Sequence, residues 1–219
     1  MKEIEFKNID PEDIEYLLID VEDSFAIKFA DNELTHIQTF GEMCDHIKGK
    51  IKLENTNNCT SQQAFYKLRR AIQNLHVSIE KITPDTLLTD LLPKKRRKLR
   101  TKQIEKDLGF NLLILRPSHF VTCFFAMLLL ASLTGLFFSW QYGLTGLGLA
   151  IGGFWLTGKT GNELDLQTVG QLAKKMTQEN YLKSRRNPET YNDNEIEEIL
   201  TNWFSNDLGL ELTREDRLF

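Results

Sequence analysis

Along most of this chain apolar residues recur at helical spacing between polar ones, and in one stretch the polar positions nearly vanish. Asp10 can cap a helix with Pro11 in its first turn, after which Ile14, Leu17, Leu18, Val21 and Phe25 fall on one face. After FADNEL, Thr39 and Glu42 form a capping-box pattern ahead of Phe40, Met43, Cys44 and Ile47. The second half repeats this: NELDLQTVGQLAKKM (Asn162 to Met176) matches NELTHIQTFGEMCDHI (Asn32 to Ile47) with one residue fewer. Thr168, Gln171, Val169, Leu172, Ala173 and Met176 keep the same cap and stripe, which argues for one structural unit used twice. Phe65, Leu68, Ile72 and Leu75 predict a further amphipathic helix before the turn-rich ITPDTLLTDLLP, and Ile196, Ile199, Leu200, Trp203 and Phe204 predict one near the C-terminus.

Pro117 to Gly158 holds no Asp, Glu, Lys or Arg and splits at SWQYG into two apolar runs. The first, Phe120 to Phe138, would cover about 28 Å as a helix, close to the thickness of a hydrocarbon core. The second is shorter and Gly-rich, and crosses if it starts near Trp140 with tilt or thinning absorbing the mismatch. Trp140, Tyr142 and Trp155 occupy interfacial positions, and Ala131, Gly135, Gly148 and Gly152 form small-xxx-small pairs. The pattern therefore predicts a transmembrane helical hairpin. Basic residues flank it on both sides and its tip is uncharged, so the positive-inside rule places both termini in the cytoplasm. The opening MKEIEFKNIDPED lacks the basic and apolar regions of a signal peptide. The expected location is integral to a bacterial inner membrane.

Charge refines this picture. The formal net charge of −4 says little, but Lys94, Lys95, Arg96, Arg97, Lys98, Arg100 and Lys102 cluster beside the apolar run. They read as a solvated, topology-setting face that also contacts anionic lipid headgroups. No aromatic platform or module accompanies them, so nucleic acid is not an expected partner. Cys44, Cys59 and Cys123 suggest neither a disulfide framework nor a zinc spacing, and His36, His46, His76 and His119 have no metal-ligand spacing. No Ser or Cys has the context of a nucleophile. Gly153 to Thr160, GFWLTGKT, matches the spacing of a phosphate-binding loop, with Lys159 and Thr160 as the reaching cation and the magnesium ligand. It closes an apolar run rather than following a buried strand, and Leu17 to Asp20, which imitates a magnesium-binding strand end, lies on a helical stripe.

DIEYLLIDVEDSFAIKFADNELTHIQTFGEMCDHI resembles the second helix, loop and last helix of an acyl carrier protein, with an acidic helix and a Thr-Val-Gly-Asp-like start of the final helix. AFYKLRRAIQNLHVSIEKITPDTLLTDLL is similar to a carrier's first helix and following loop, and EIEEILTNWFSNDLGLELTREDRLF resembles that helix and loop again. The resemblance implies small helical bundles and an acidic docking helix, here carrying Glu12, Asp13, Glu22 and Asp23, that suits a basic protein partner. It also implies a missing function. Pro11 in one copy, and Lys94 or Lys95 in the other, stand where a carrier needs the Ser that takes phosphopantetheine.

The expectation is an all-α protein of acyl-carrier-like bundles plus a two-helix transmembrane hairpin. Residues 1–52 form the first carrier-like piece, residues 62–116 and 159–178 the second, interrupted by the hairpin at 117–158. Residues 192–219 resemble a carrier first helix expected to pack on residues 10–50, within one chain or in a homodimer. The expected function is a non-catalytic, membrane-anchored interaction or scaffold protein, with an association to lipid or acyl-chain metabolism resting on the resemblance alone. No catalytic group, cofactor or metal ligand is assigned. The alternatives are a nucleotide-binding enzyme using residues 153–160 and a membrane-shaping or oligomeric pore component.

Overall fold

A computed structural model describes residues 11–75 and 81–217; Asp10, the opening segment read for a signal peptide, His76 and the last two residues lie outside it. The chain is mostly helical, with ten helices among the described residues. These are α1 (Pro11–Phe25), α2 (Phe40–Lys50), α3 (Thr60–Gln73), α4 (Leu88–Leu91), α5 (Arg97–Leu108), α6 (His119–Gly135), α7 (Trp140–Thr160), α8 (Val169–Glu179), α9 (Tyr181–Ser184) and α10 (Asp193–Leu208). Four two-residue strands complete the set. β1 (Glu54–Asn55) pairs in parallel with β4 (Thr190–Tyr191), and β2 (Leu115–Arg116) antiparallel with β3 (Glu163–Leu164).

Two apolar cores organise the helices. The first is built by Ile14, Leu17, Val21 and Phe25 of α1, Phe40, Met43 and Ile47 of α2, and Ile196, Leu200, Trp203 and Phe204 of α10. The side chains on each helix recur at three- and four-residue spacing, so one stripe per helix turns inward. The second core joins Leu68 and Ile72 of α3, Leu88 and Leu91 of α4, Ile104 and Leu108 of α5, and Val169, Leu172 and Met176 of α8. Burying each such side chain is worth about 1.5–3 kcal/mol, so neither set of stripes is stable left in water.

The repeated sequence folds into repeated hydrogen bonding. Thr39 Oγ1 accepts the Glu42 amide while the Glu42 carboxylate accepts the Thr39 amide, and Thr168 and Gln171 form the same reciprocal cap on α8. Each capped end also docks on a loop from elsewhere in its unit. The amides of Phe40 and Gly41 donate to the carbonyls of Asp216 and Arg214, and those of Val169 and Gly170 to Thr86 and Pro84. The docks are close at both points: a Cβ on Gly41 would lie 2.9 Å from the Arg214 carbonyl oxygen, too near to fit without a backbone shift, and one on Gly170 would lie 3.1 Å from that of Pro84, a tight contact. Arg214 secures the first dock further, reaching Asp45 on α2 at 2.6 Å and also the carboxylate of Glu197 on α10.

The two units meet along α1, α8 and α9. Ser24 Oγ donates to the Gln178 carbonyl and accepts the Tyr181 amide at 2.9 Å, while the Phe25 and Tyr181 rings lie 4.9 Å apart. Arg185, 1% exposed, sits behind this joint. Its guanidinium donates to Thr190 Oγ1 at 3.1 Å, Thr56 Oγ1 at 2.7 Å, the Asn58 carbonyl and Tyr181 Oη at 3.3 Å each, and Thr60 Oγ1. All five acceptors are neutral. Tyr181 Oη in turn accepts the Asn192 amide at 2.9 Å, tying the start of α10 to α9.

The structure corrects the transmembrane hairpin and the integral inner-membrane location that depended on it. No helix among the described residues is long and apolar enough to cross a membrane. The first apolar run does not stay helical to Phe138: α6 ends at Gly135 after 17 residues, about 26 Å against a hydrocarbon core of about 30 Å, and residues 136–138 form the turn. The second helix has 21 residues, but Gln141, Thr145, Thr157, Lys159 and Thr160 and six glycines dilute its apolar character. A count of uncharged positions does not register either effect.

Asp20, Glu179 and Asp207 gather where α1, α8 and α10 meet. Burial raises the pKa of all three. Asp207 and Asp23 raise Asp20 further, Asp20 and Asp207 raise Glu179 further, and Lys175 works against the shift at Glu179 and Asp207, with the Trp203 indole N–H also opposing it at Asp207. A carboxyl with a raised folded-state pKa stabilises the fold below its unfolded value and loses that contribution as pH rises through the folded value. Glu179→Gln should therefore raise the Tm at pH 7, and the gain should vanish in acid below the ordinary carboxyl value of 4.5. A Tm gain that is the same at both pH values would contradict this origin. Trp203→Ala, at a side chain 2% exposed, should cost about 3–5 kcal/mol and speed amide exchange at Leu17 and Val21, measured by hydrogen exchange on the intact chain.

Candidate functional site

Most of the large exposed apolar side chains among the described residues lie on the α6–α7 hairpin. Its base is fixed by the β2–β3 ladder, by the Arg116–Asp165 ion pair at 2.7 Å and by the close approach of Gly161 to the Arg116 carbonyl. The helices touch through small residues. A Cβ at Gly146 would strike the Ser132 side chain, and one at Gly153 would strike the Phe125 ring. That close side leaves the bulky side chains outward: Phe120, Phe137 and Phe138 are 88, 91 and 93% exposed. Met127 and Leu130 on α6 and Leu149, Ile151 and Trp155 on α7 are also exposed, while Gly148 and Gly152 face open space. Apolar surface contiguous over two helices is the mark of a surface that another apolar surface covers.

The residues singled out in the sequence are spread over other faces. On α1, Glu12, Asp13 and Asp23 are exposed, and the half-buried Glu22 accepts Lys28 Nζ at 2.7 Å and the Phe29 amide at 2.5 Å. The Lys28 partner holds the Glu22 carboxyl below its ordinary value. The basic block divides. Lys95, Arg96 and Lys102 are exposed, Lys94 pairs with Glu163 at 3.0 Å, and Lys98 reaches the Lys159 carbonyl at 3.4 Å. Arg97 is 3% exposed and donates to the carbonyls of Leu92 at 2.9 Å and Asn162 at 2.5 Å, and Arg100 donates to that of Leu91 at 2.6 Å. Those two arginines fasten α5 to α4 and to the β3 end instead of facing a headgroup layer.

Gly153 to Thr160 forms the last two turns of α7. Its interior amides are held in helical hydrogen bonds, and Lys159 Nζ lies 3.7 Å from the centre of the Trp155 ring, so no phosphate-cradling loop exists there. His46 Nε2 meets Glu33 Oε1 at 2.8 Å, and Lys50 shares that carboxylate, which Lys50, the Ala30 amide and His46 together hold down to about 2. No group of three or more His, Cys, Asp or Glu able to hold a metal occurs among the described residues. Cys44 is buried, its thiol pushed up to about 12 by that burial, while Cys59 and Cys123 are exposed.

A cleft of about 710 Å³ between α3 and the turn after α9 has no counterpart in the sequence reading. Lys67, Arg70 and Arg186 line it, and its wall includes Thr56, Asn58 and Thr190, which are also acceptors of the buried Arg185. Residues from two stretches more than 110 positions apart, 54–70 and 184–190, build it, so no local motif announces it.

Comparison with known proteins finds no matching family model, no matching curated protein and no matching solved structure.

The hairpin geometry separates two kinds of glycine. Gly148→Ala, in open space within a helix, should stabilise the protein by up to about 1 kcal/mol. Gly146→Ala, against Ser132, should destabilise it by about 1–3 kcal/mol. Thermal unfolding of both variants checks the pair, and equal effects would mean that α6 and α7 do not pack through this face.

Proposed function

We propose that the protein is a non-catalytic interaction or scaffold protein, made of two acyl-carrier-like helical units that carry no acyl group and present the α6–α7 hairpin as a docking arm. The observation that carries this reading is the exposure of Phe120, Phe137 and Phe138 on a hairpin braced at its base. Leaving such side chains in water forgoes about 1.5–3 kcal/mol each, which is recovered when a partner covers them. The carrier-like reading is supported by the paired cores, the repeated capping boxes and the repeated loop docks. Pro11 opens α1, and Lys94 and Lys95 precede α5, where an attachment serine would be needed. The acidic positions Asp13 and Asp23 are exposed to a basic protein partner on a different face.

The occupant that best fits the hairpin is a second copy of it. The open strip over Gly148 and Gly152 admits large side chains, and the exposed Phe124, Met127 and Leu130 of another α6 supply them, so a two-fold pairing is self-complementary. Sedimentation of the full chain across a concentration series should show the 25.4 kDa monomer converting to a dimer. The double variant Gly148→Leu with Gly152→Leu, whose Cβ atoms meet nothing within 4 Å in their own chain, should weaken that association about tenfold or more. A wild type that stays monomeric throughout, or a double variant that pairs equally well, would defeat the proposal.

A further inference from the structure

The cleft beside α3 is positively charged by construction. Lys67 and Arg70 stand three residues apart on α3 and so share one face, and Arg186 reaches the same space from the turn after α9. That turn is fastened to α3 twice: the Arg186 amide donates to Gln63 Oε1 at 2.6 Å, and Lys67 Nζ donates to the Lys183 carbonyl at 2.5 Å. Lys67 and Arg186 are therefore held near one another by neutral hydrogen bonds instead of by counter-charges. None of Lys67, Arg70, Arg185 or Arg186 forms an ion pair among the described residues.

Arg185 lies one layer behind. Its guanidinium is buried with neutral acceptors only, and three of those acceptors, Thr56, Asn58 and Thr190, line the cleft itself. A buried cation without a carboxylate is costly, and its field is weakly screened. Burial also lowers the pKa of Lys67, which marks an ammonium short of hydration. Of the carboxylates nearby, one belongs to the lining. Glu195 is engaged by the Thr60 amide at 3.0 Å from each oxygen, and Glu54 lines the cleft. Amide side chains of Gln62, Gln63 and Asn187 add donors between the cations.

We infer that this cleft binds a small phosphate-bearing ligand, with Arg70, Arg186 and Lys67 contacting the phosphate and buried Arg185 supporting it through the cleft wall. Guanidinium groups match phosphate oxygens in pairs, and a cavity of about 710 Å³ has room for a phosphate ester of low molecular weight. The inference is independent of the docking arm, which lies on other elements.

Inorganic pyrophosphate is the probe, titrated calorimetrically into the full chain at fixed ionic strength, with amide chemical shifts recorded in parallel. Saturable binding should shift amides around Gln63, Lys67 and Arg186. Arg70→Gln with Arg186→Gln should weaken it about tenfold or more while leaving the Tm unchanged. Lys95→Gln with Arg96→Gln removes the same charge from an exposed surface remote in sequence and should leave binding within about twofold. Absence of saturation at millimolar pyrophosphate, or equal weakening in both double variants, would overturn the site and mark the effect as diffuse attraction to a cationic surface.

Discussion

Burial of Trp203 and Phe204 among α1 and α2 side chains is the contact on which the first unit depends. Neither α1 nor α2 has enough apolar partners locally. The Phe40 and Phe204 rings meet edge to face with centres 5.5 Å apart, and the Arg214 dock, 169 residues from Asp45 in sequence, closes the same core. The second unit closes over a shorter span: α3, α4 and α5 are consecutive, and α8 returns after the hairpin through the β2–β3 ladder to dock on Pro84 and Thr86. Two copies of one arrangement thus differ in how their chain runs through them. In the second unit α3 precedes the helices it packs against in sequence; in the first, α10 follows them.

The joint between the units is polar where the cores are apolar. Ser24, Tyr181 and Arg185 link α1, α9, the β1–β4 ladder and the start of α10 through side-chain hydrogen bonds of specific geometry. An apolar joint would tolerate sliding. A guanidinium with five neutral acceptors does not, because each displaced acceptor leaves a buried donor unsatisfied. The same network shapes the wall of the cleft, so the buried cation that ties the joint also stands behind the cleft.

The legibility of these features follows their range in sequence. The helical stripes of α1, α2, α8 and α10 and the caps at Thr39 and Thr168 depend on residues three or four apart and could be read directly. The end of α6 could not: Leu136, Phe137 and Phe138 are as apolar as the residues before them, and only the turn into Ser139 removes them from the helix. The basic block misled for a related reason. Arg97, Thr101, Ile104 and Leu108 form the buried stripe of α5, but two of the four are polar, so hydrophobic spacing left Arg97 on the outer face. Arg185 and its acceptors, separated by as many as 129 residues, carried no signal short of the folded structure.

The chain order of the first unit also sets a schedule. During synthesis α1 and α2 emerge first, yet the helix that completes their core begins at Asp193. At about 5–20 residues per second, they wait roughly ten seconds or more for it. The second unit, whose last helix ends at Glu179, is finished shortly before α10 begins. Its α8, followed directly by Tyr181, offers the Phe25 end of α1 a ring and two hydrogen bonds while the other side of that helix is still bare. The seam between the units is thus also a waiting place, where the earliest helix can rest on finished structure until the last one arrives.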